Sequence, residues 1–277
     1  MFAYGISCQP KGREYIMKKR PASWDAIVIK SNDFIRKSRY NLSLQEQKIV
    51  LFIISQISPY DEDFKEYTFS IIDFCNACGI SLAGKNYQDL KKALLELSSK
   101  KIGWATLQDG RQTILSWFEK VYLNPDGTIT LRLDSDLKPY LLNLKANFTS
   151  YELIFALHFK SRYSIRLYEF IRSIHYHVLE EYTADFSVDE LKGIMGAGHY
   201  NWQSFKQRAL EPAVNEINRW SDKTVSWAPV YDERKIVRIV FTVSTKHAIE
   251  LMQMRDAIGA EMGYNPNQLS MWDGTAP

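Results

Sequence analysis

The sequence predicts an α+β protein in which one arrangement of helices and strands occurs twice. In each half, segments with apolar residues spaced three or four apart precede segments in which apolar and polar residues alternate. Short stretches of the first half also match stretches of the second half, in the same order. Three helices followed by a hairpin form a winged helix, so we predict two tandem winged-helix domains related by internal duplication.

Composition excludes several classes of protein. The chain has 277 residues, 45% hydrophobic and 13% aromatic, which suffices for the cores of two ordinary domains. No apolar run approaches the roughly 18–20 residues that span a bilayer, so we expect no membrane partner. The N-terminus lacks the apolar core of a secretory signal, and the odd count of 3 cysteines argues against a disulfide framework. We therefore expect a cytoplasmic protein.

Charge is segregated along the chain, although the net charge is only +3. Between Lys11 and Lys48, ten basic residues stand against four acidic ones, an excess that favours a polyanionic partner. Met17 is an alternative start within this basic region. The predicted segments are a flexible basic arm (1–25), a first winged-helix domain (26–146), a second winged-helix domain (147–246), and a C-terminal helix with a tail (247–277).

The first domain is predicted to begin with a short apolar strand from Ala26 and a short helix at 33–40. Ser43 and Glu46 form a capping-box pattern that opens the next helix, which ends near Pro59. The remaining predicted elements are helices at 70–79 and 85–101, strands at 102–107, 113–123 and 128–133, and a short helical linker at 136–145.

The second domain repeats this order, and Gly196 suits the left-handed residue that ends a helix. Its predicted elements are helices at 151–160, 161–178, 187–195 and 200–221, and strands at 225–230 and 235–243 joined by a turn at 231–234. The matches between the halves are 66–70 with 181–187, 87–96 with 202–211, and 102–105 with 225–228.

The helix at 200–221 is predicted to read DNA. Its apolar residues fall on one stripe, which is typical of a helix packed on a core. The opposite face of its first two turns carries polar and basic side chains, with no acid before Glu211. In a helix-turn-helix, such N-terminal residues of the second helix contact base edges in the major groove. The predicted base readers are Asn201, Ser204, Lys206, Gln207 and Arg208.

Other side chains are predicted to hold phosphates, which adds affinity but little sequence information. In the first domain the corresponding helix carries Asp89, which repels phosphate and makes this helix the weaker reader. The predicted phosphate contacts are Arg234, Lys235 and Arg238 on the second wing. The first-domain face that corresponds to the base readers carries Asn86, Gln88, Lys91 and Lys92, and Arg39 and Arg162 complete the predicted DNA-binding residues.

An alternative remains open for the arginines of the 161–178 helix. Arg162 and Arg166 lie one helical turn apart, and Arg172 follows on the same helix. They can hold DNA phosphates, or they can form an intramolecular salt-bridge lattice with Glu169.

Three motifs resemble parts of enzymatic or metal-binding sites, but their context in the sequence disfavours these functions. The pair His175 and His177 belongs to a predicted helix, where residues two apart diverge, so the histidine pair of a rolling-circle nickase is disfavoured. Cys75 and Cys78 have zinc-like spacing but no second pair of ligands nearby, so we expect buried thiols. The glycines at 193–198 follow no strand, and no P-loop occurs. We predict a protein that is not an enzyme and binds no cofactor and no metal.

Five stretches carry a resemblance to a known family. The sequence resembles the initiator Rep proteins of theta-replicating, iteron-bearing plasmids over roughly residues 28–245. The stretches are SNDFIRKSRYNLSLQEQKIVLFIIS at 31–55, SRYSIRLYEF at 161–170, FSVDEL at 186–191, SFKQRALEPAVNEIN at 204–218 and KIVRIVF at 235–241.

The resemblance implies two winged-helix domains that grip the two ends of an iteron in double-stranded DNA. It implies monomers that bind these direct repeats and open the origin, with recruitment of the host initiator DnaA and of the helicase or its loader. It also implies homodimers that bind an inverted operator and repress their own gene, through a contact at 113–133. A dedicated transcriptional repressor with the same domains is the alternative function.

The tail carries a separate resemblance. Residues 268–272, QLSMW, resemble the short peptides that dock in the groove of the bacterial sliding clamp, although Met and Trp replace the usual Leu and Phe. The clamp is therefore a predicted partner of the tail, which contacts it through Gln268, Leu269, Met271 and Trp272.

Overall fold

The structure, a computed structural model, describes residues 25–58, 61–78, 80, 84–106, 112–174 and 181–262. The first half contains β1 (Ile27–Ser31), α1 (Asn32–Lys37), α2 (Leu44–Ile54), β2 (Tyr67–Ser70), α3 (Ile71–Ala77), α4 (Gly84–Ser99), β3 (Lys101–Thr106), β4 (Gln112–Ser116), β5 (Phe118–Leu123) and β6 (Thr128–Leu133). A 3-10 turn at Ser135–Leu137 leads into α5 (Lys138–Leu141).

The second half contains β7 (Phe148–Glu152), α6 (Leu153–His158), α7 (Arg162–Ile174), β8 (Glu181–Ser187), α8 (Val188–Met195), α9 (Trp202–Phe205), α10 (Glu211–Trp220), β9 (Lys223–Asp232), β10 (Lys235–Thr245) and α11 (Ala248–Glu261). A π-helical turn at Lys206–Leu210 joins α9 to α10.

The two halves carry three-stranded antiparallel sheets of the same topology. The strand order is β2-β6-β5 in the first sheet and β8-β10-β9 in the second. In each sheet, the strand that leads into the first helix of the helix-turn-helix pairs with the last strand of the wing. The predicted fold, two winged-helix domains in tandem, is confirmed.

The wing of the first domain departs from the predicted match between the halves. Residues 102–105, which match 225–228 in sequence, lie in β3, and β3 pairs with β4 in a separate two-stranded sheet. β5 and β6 take the places that β9 and β10 hold in the second sheet. The prediction was wrong here because a match of a few residues does not reveal an inserted hairpin.

β7 was not predicted, and it connects the two halves. It pairs with β1 in antiparallel register from Ile27–Glu152 to Ser31–Phe148. The partners are distant in sequence, so the strand does not show in local patterns. β1 and β7 lie on either side of the domain boundary predicted after residue 146, α1 packs on α7, and α2 packs on α6. One continuous hydrophobic core includes residues of both halves.

Side-chain caps fix the ends of the helices. The Ser43 amide donates to Glu46 Oε2 at 2.7 Å, and the Glu46 amide donates to Ser43 Oγ at 3.3 Å, which confirms the capping box. Ser187 Oγ accepts from the Glu190 amide at 3.1 Å at the start of α8. Gly196 ends α8 with a φ of 67°, the predicted left-handed conformation.

The predicted helix at 200–221 is a composite of α9, the π-helical turn and α10. Phe205, Ala209, Ala213 and Ile217 are fully buried, which confirms most of the predicted stripe. The π-helical turn was not predicted. Pro212 explains it, because proline has no amide hydrogen and its ring clashes with the carbonyl four residues earlier, so the preceding turn widens.

Candidate nucleic-acid interface

The exposed face of the composite helix presents the central predicted base readers. Gln207 and Arg208 are exposed, while Ala209 behind them is fully buried. Neither side chain has a hydrogen bond or an ion pair with the described part of the chain. Gln203 is also exposed, and it shares a helix face with Gln207, four positions later. This face can therefore hydrogen-bond an external ligand. Gln203 was not among the predicted base readers, and its exposed position adds it to them.

Two predicted base readers shape the start of the helix. Asn201 is the N-cap of α9, and its Oδ1 accepts from the Ser204 amide at 2.8 Å. The cap occupies the Asn201 oxygen, so the amide nitrogen is the atom that is left to contact a base. Ser204 is half-buried.

Lys206 links the composite helix to the wing of the second domain. Its Nζ lies 5.9 Å from the ring centroid of Trp227 on β9 and 3.5 Å from Glu211 Oε1. Trp227 also packs edge-on against Trp202, with ring centroids 6.2 Å apart. Glu211 offsets part of the lysine charge, so Lys206 is less available to a base than its sequence position indicates.

The second wing supplies two basic side chains at its tip and one on its sheet. Arg234 and Lys235 are exposed, and they follow Glu233, which takes a left-handed φ of 52° in the turn. Arg238 Nε instead lies 2.8 Å from both carboxylate oxygens of Asp185 on β8. The predicted phosphate contact of Arg238 therefore competes with an ion pair within the sheet.

The corresponding helix of the first domain, α4, is engaged in local contacts. Lys91 Nζ lies 4.7 Å from the centroid of the Tyr87 ring, and Lys92 Nζ lies 3.7 Å from Glu96 Oε1. Gln88 and Asp89 are exposed. The predicted contact at Asn86 concerns a side chain outside the described residues.

Two of the three arginines of α7 are engaged within the protein rather than left for DNA phosphates. Arg166 is buried and donates to the Tyr40 hydroxyl at 2.7 Å and to the Ile194 carbonyl at 3.1 Å. Arg172 forms an ion pair with Asp222. Arg166 also lies 3.7 Å from Glu169, as predicted for the lattice, whereas Arg172 pairs with Asp222 instead and Arg162 is bonded to neutral acceptors.

A buried charge cluster at the contact between the two halves was not predicted. Lys30 Nζ lies 2.5 Å from Glu169 Oε1, and the Tyr151 hydroxyl donates to the same oxygen at 2.6 Å. Burial and then Glu169 raise the pKa of Tyr151 well above its usual range. A lysine inside an otherwise apolar strand, as in IVIKS, is the sequence signal that indicates such a pairing.

The cysteine pair behaves as expected for thiols in a core. Cys75 and Cys78 are buried and free. Burial raises the pKa of both thiols, to about 12 for Cys78. Within the described residues, no group of His, Cys, Asp and Glu is arranged to hold a metal ion. No helix among those residues is both long and apolar enough to cross a bilayer.

Several predictions fall outside the described residues. They concern the basic arm up to residue 24, the end of the predicted helix at residue 79, the connection at 108–111 between two predicted strands, and the histidine pair at 175 and 177. The clamp-binding peptide at 268–272 also lies there, so binding to the sliding clamp stays a prediction.

Comparison with known proteins follows the division into two winged helices. Residues 27–172 match the family model described as "Initiator Replication protein, WH1", and residues 187–243 match "Initiator Rep protein, WH2". A replication initiation protein of Escherichia coli is 26% identical over 205 residues, in a match that covers 72% of this chain and 64% of that protein. The chain thus spans slightly less than two thirds of the length of that relative.

A solved structure, that of the Pi initiator protein in complex with iteron DNA, is similar to this chain with a TM-score of 0.66. The sequence identity is 21%, and the match covers 81% of this chain and 99% of that chain. At this identity the likeness shows the fold alone. The family models cover both winged-helix domains. The chain belongs to the initiator replication protein family.

Proposed function

We propose that this chain is a plasmid replication initiator that binds direct repeats, called iterons, in double-stranded origin DNA. The observation that carries the proposal is the exposed Arg208 on the recognition helix, which has no partner among the described residues. An arginine in this position donates two hydrogen bonds to a guanine in the major groove. The Pi initiator was solved with iteron DNA, which supports this class of ligand for a chain of the same fold.

The two domains contribute unequally to sequence recognition in this proposal. The second domain offers Gln207 and Arg208 on its helix and Arg234 on its wing tip, all exposed. The first domain offers Gln88 beside Asp89, whose charge repels phosphate. The second domain is therefore the main reader, and the first domain adds a weaker contact.

We also propose that dimers of this chain bind an inverted operator and repress its gene. The strands β4 and β5 support this, because Ile114, Tyr122 and Leu123 are 47%, 47% and 52% exposed. Large side chains exposed on these two strands suit contact with a second copy of the chain. Monomers bound to iterons open the adjacent AT-rich DNA and recruit the host initiator and helicase by protein contact.

Two arginine variants test the assignment of base reading. Arg208→Ala is expected to lose about 1–3 kcal/mol of binding free energy on the repeat DNA, with a smaller loss on random duplex. Arg234→Ala, the matched control, is expected to weaken both alike and to reduce the salt slope by about 1, because it contacts phosphate. Titration of both labelled duplexes measures these losses. Equal losses on the two duplexes for Arg208→Ala would overturn the assignment.

A further inference from the structure

The junction between the two domains holds arginines beside the recognition helix. Arg162, the first residue of α7, donates from Nη1 to Asn41 Oδ1 and from Nη2 to the Tyr163 hydroxyl at 3.0 Å. The Tyr163 hydroxyl lies 3.5 Å from the hydroxyl of Tyr200, which directly precedes the N-cap Asn201. Arg162 therefore lies close to the helix end that enters the major groove in a helix-turn-helix.

The segment that connects α1 to α2 brings a second arginine to the same place. Arg39 is exposed and donates to the carbonyl oxygens of Arg36 and Ser38. Its Nε lies 3.6 Å from the position that a Cβ would take on Gly193 of α8. The first domain thus places Arg39 against the helix-turn-helix of the second domain.

Buried contacts hold this connecting segment in place. The Arg166 guanidinium donates to the Tyr40 hydroxyl at 2.7 Å and to the Ser38 carbonyl at 3.3 Å. It also lies 4.3 Å from the centroid of the Tyr40 ring. Because Arg166 belongs to α7, which also begins with Arg162, one helix positions both parts of the junction.

The charge at the junction is largely uncompensated. Arg39 and Arg162 are bonded to carbonyl, amide and hydroxyl oxygens, and in the described part of the chain neither has a carboxylate within ion-pair distance. Burial lowers the pKa of Arg39, the Arg166 charge lowers it further, and Glu190 opposes both as the smallest influence. An arginine held by neutral oxygens keeps its full charge for an external anion.

We propose that Arg39 and Arg162 form a clamp, contributed by both domains, for the phosphodiester backbone of duplex DNA. The clamp holds the strand that passes beside the N-terminus of the second recognition helix. This inference rests on the proposed DNA-binding function and adds to it a backbone contact that depends on the relative placement of the domains. The contact is independent of base sequence, because phosphates are common to all duplexes.

The salt dependence of DNA binding tests the clamp formed by Arg39 and Arg162. The affinities of Arg39→Gln, Arg162→Gln and the double variant are measured between low and moderate salt, on the DNA flanking the gene and on random duplex. Each single variant is expected to reduce the slope of log K against log salt by about 0.9 on both duplexes, and the double variant by about twice that. The ratio of specific to random affinity stays unchanged. Lys37→Gln is the matched control, because Lys37 already pairs with Asp33 at 3.0 Å on α1, and its slope is expected to stay that of the wild type.

Two further measurements keep the outcomes distinct. Arg162→Lys keeps the charge and is expected to keep most of the slope, so a slope that falls as far as in Arg162→Gln would indicate a structural role and overturn the clamp. Wild-type slopes in all Gln variants would also overturn the clamp. If the wild type still prefers the flanking DNA to random duplex, the proposed function stands. A wild-type chain without preference for the flanking DNA would instead contradict the proposed function, and the slopes on random duplex would still decide the clamp.

Discussion

The arginine side chains of the described residues fall into two groups, according to whether a carboxylate is within reach. Arg208 and Arg234 have no such partner there, so their charge is free for a base or a phosphate. The paired group includes Arg172 with Asp222, Arg238 with Asp185, and Arg255 with Glu152.

The sequence alone does not separate these groups. Arg238 and Asp185 are 53 positions apart, so the pair forms only when β8 and β10 lie side by side. The position of Arg208 on the exposed face of its helix was predicted, because the helical period determines that face locally. Residues whose environment is local can be predicted in this way, and those whose partners come from another strand cannot.

The buried pair of Lys30 and Glu169 gives a prediction for stability. Lys30→Met removes one charge from a pair whose side chains are 1% and 0% exposed, and it leaves Glu169 with Arg166 at 3.7 Å as its remaining cation. We expect a loss of about 3–5 kcal/mol in the free energy of unfolding, measured by urea titration. Lys37→Met, at an exposed pair, is the control and should cost less than about 1 kcal/mol. Similar costs at the two sites would refute the buried charge cluster as a stabilising contact.

His158 gives a prediction for pH dependence. It packs 4.4 Å from the Trp220 ring centroid, with Nε2 3.2 Å from Glu261 Oε2. Burial, followed by the Lys160 charge, lowers the pKa of His158 from 6.5 to about 4, against the opposing effect of Glu261. Below pH 6.5 the unfolded chain binds a proton that the folded chain refuses until about pH 4. The stability from this residue is therefore complete above pH 6.5 and is lost as the pH falls to 4.

The variant His158→Gln tests this dependence. Urea titrations at pH 7 and pH 4.5 should show a difference in unfolding free energy smaller than that of the wild type by on the order of 2–3 kcal/mol. His199→Gln, at an exposed site, controls for the loss of one imidazole. An unchanged difference in His158→Gln would show that other groups carry the acid sensitivity.

At the scale of elements, the composite helix at 200–221 carries both a core anchor and the proposed base readers. Its C-terminal part, α10, anchors the second domain, since the Asn218 amide donates to the Val225 carbonyl at 2.8 Å and its oxygen accepts from the Val225 amide at 2.6 Å. Its N-terminal part carries the exposed Gln207 and Arg208. Gln207 and Arg208 lie within the π-helical turn that precedes Pro212, so the direction of Arg208 depends on Pro212.

The turn of the second helix-turn-helix gives a prediction for glycine. Gly196 has a φ of 67°, and a Cβ there would lie 3.6 Å from the Tyr40 carbonyl, an ordinary contact distance. The cost of Gly196→Ala is therefore conformational, and we expect about 1–2 kcal/mol in thermal or urea unfolding. Gly198→Ala is the matched control, because no atom lies within 4 Å of its added Cβ. A cost at Gly198 equal to that at Gly196 would contradict this explanation.

Elements with local signals were predicted well from the sequence. The capping box at Ser43 and the left-handed Gly196 are set by neighbouring residues, and the structure confirms both. β2, β7 and β8 were missed because each pairs with a strand that is distant in sequence. β3 and β4 lie in predicted strands, but their separate sheet was not predicted. Proline within a helical pattern was the available sign of the π-helical turn, and the apolar period concealed it.

At the scale of the whole molecule, α7 is the helix that packs against both domains. It packs on α1 of the first domain and on α8 and α10 of the second. Arg36 of α1 donates to Ser173 Oγ of α7 at 3.2 Å, and Arg172 of α7 donates to the Ser150 carbonyl of β7 at 2.6 Å. These contacts hold the two domains together. In the proposed function, this suits one DNA ligand that both domains contact.

Footprinting of the DNA that flanks the gene for this chain tests the proposed function most directly. The wild-type protein is expected to protect a series of direct repeats, because each repeat offers adjacent major-groove sites to the two helices of one monomer. Arg208→Ala should weaken this protection at every repeat while binding to random duplex persists. Protection confined to an inverted repeat, with none at direct repeats, would contradict an initiator and indicate a dedicated repressor.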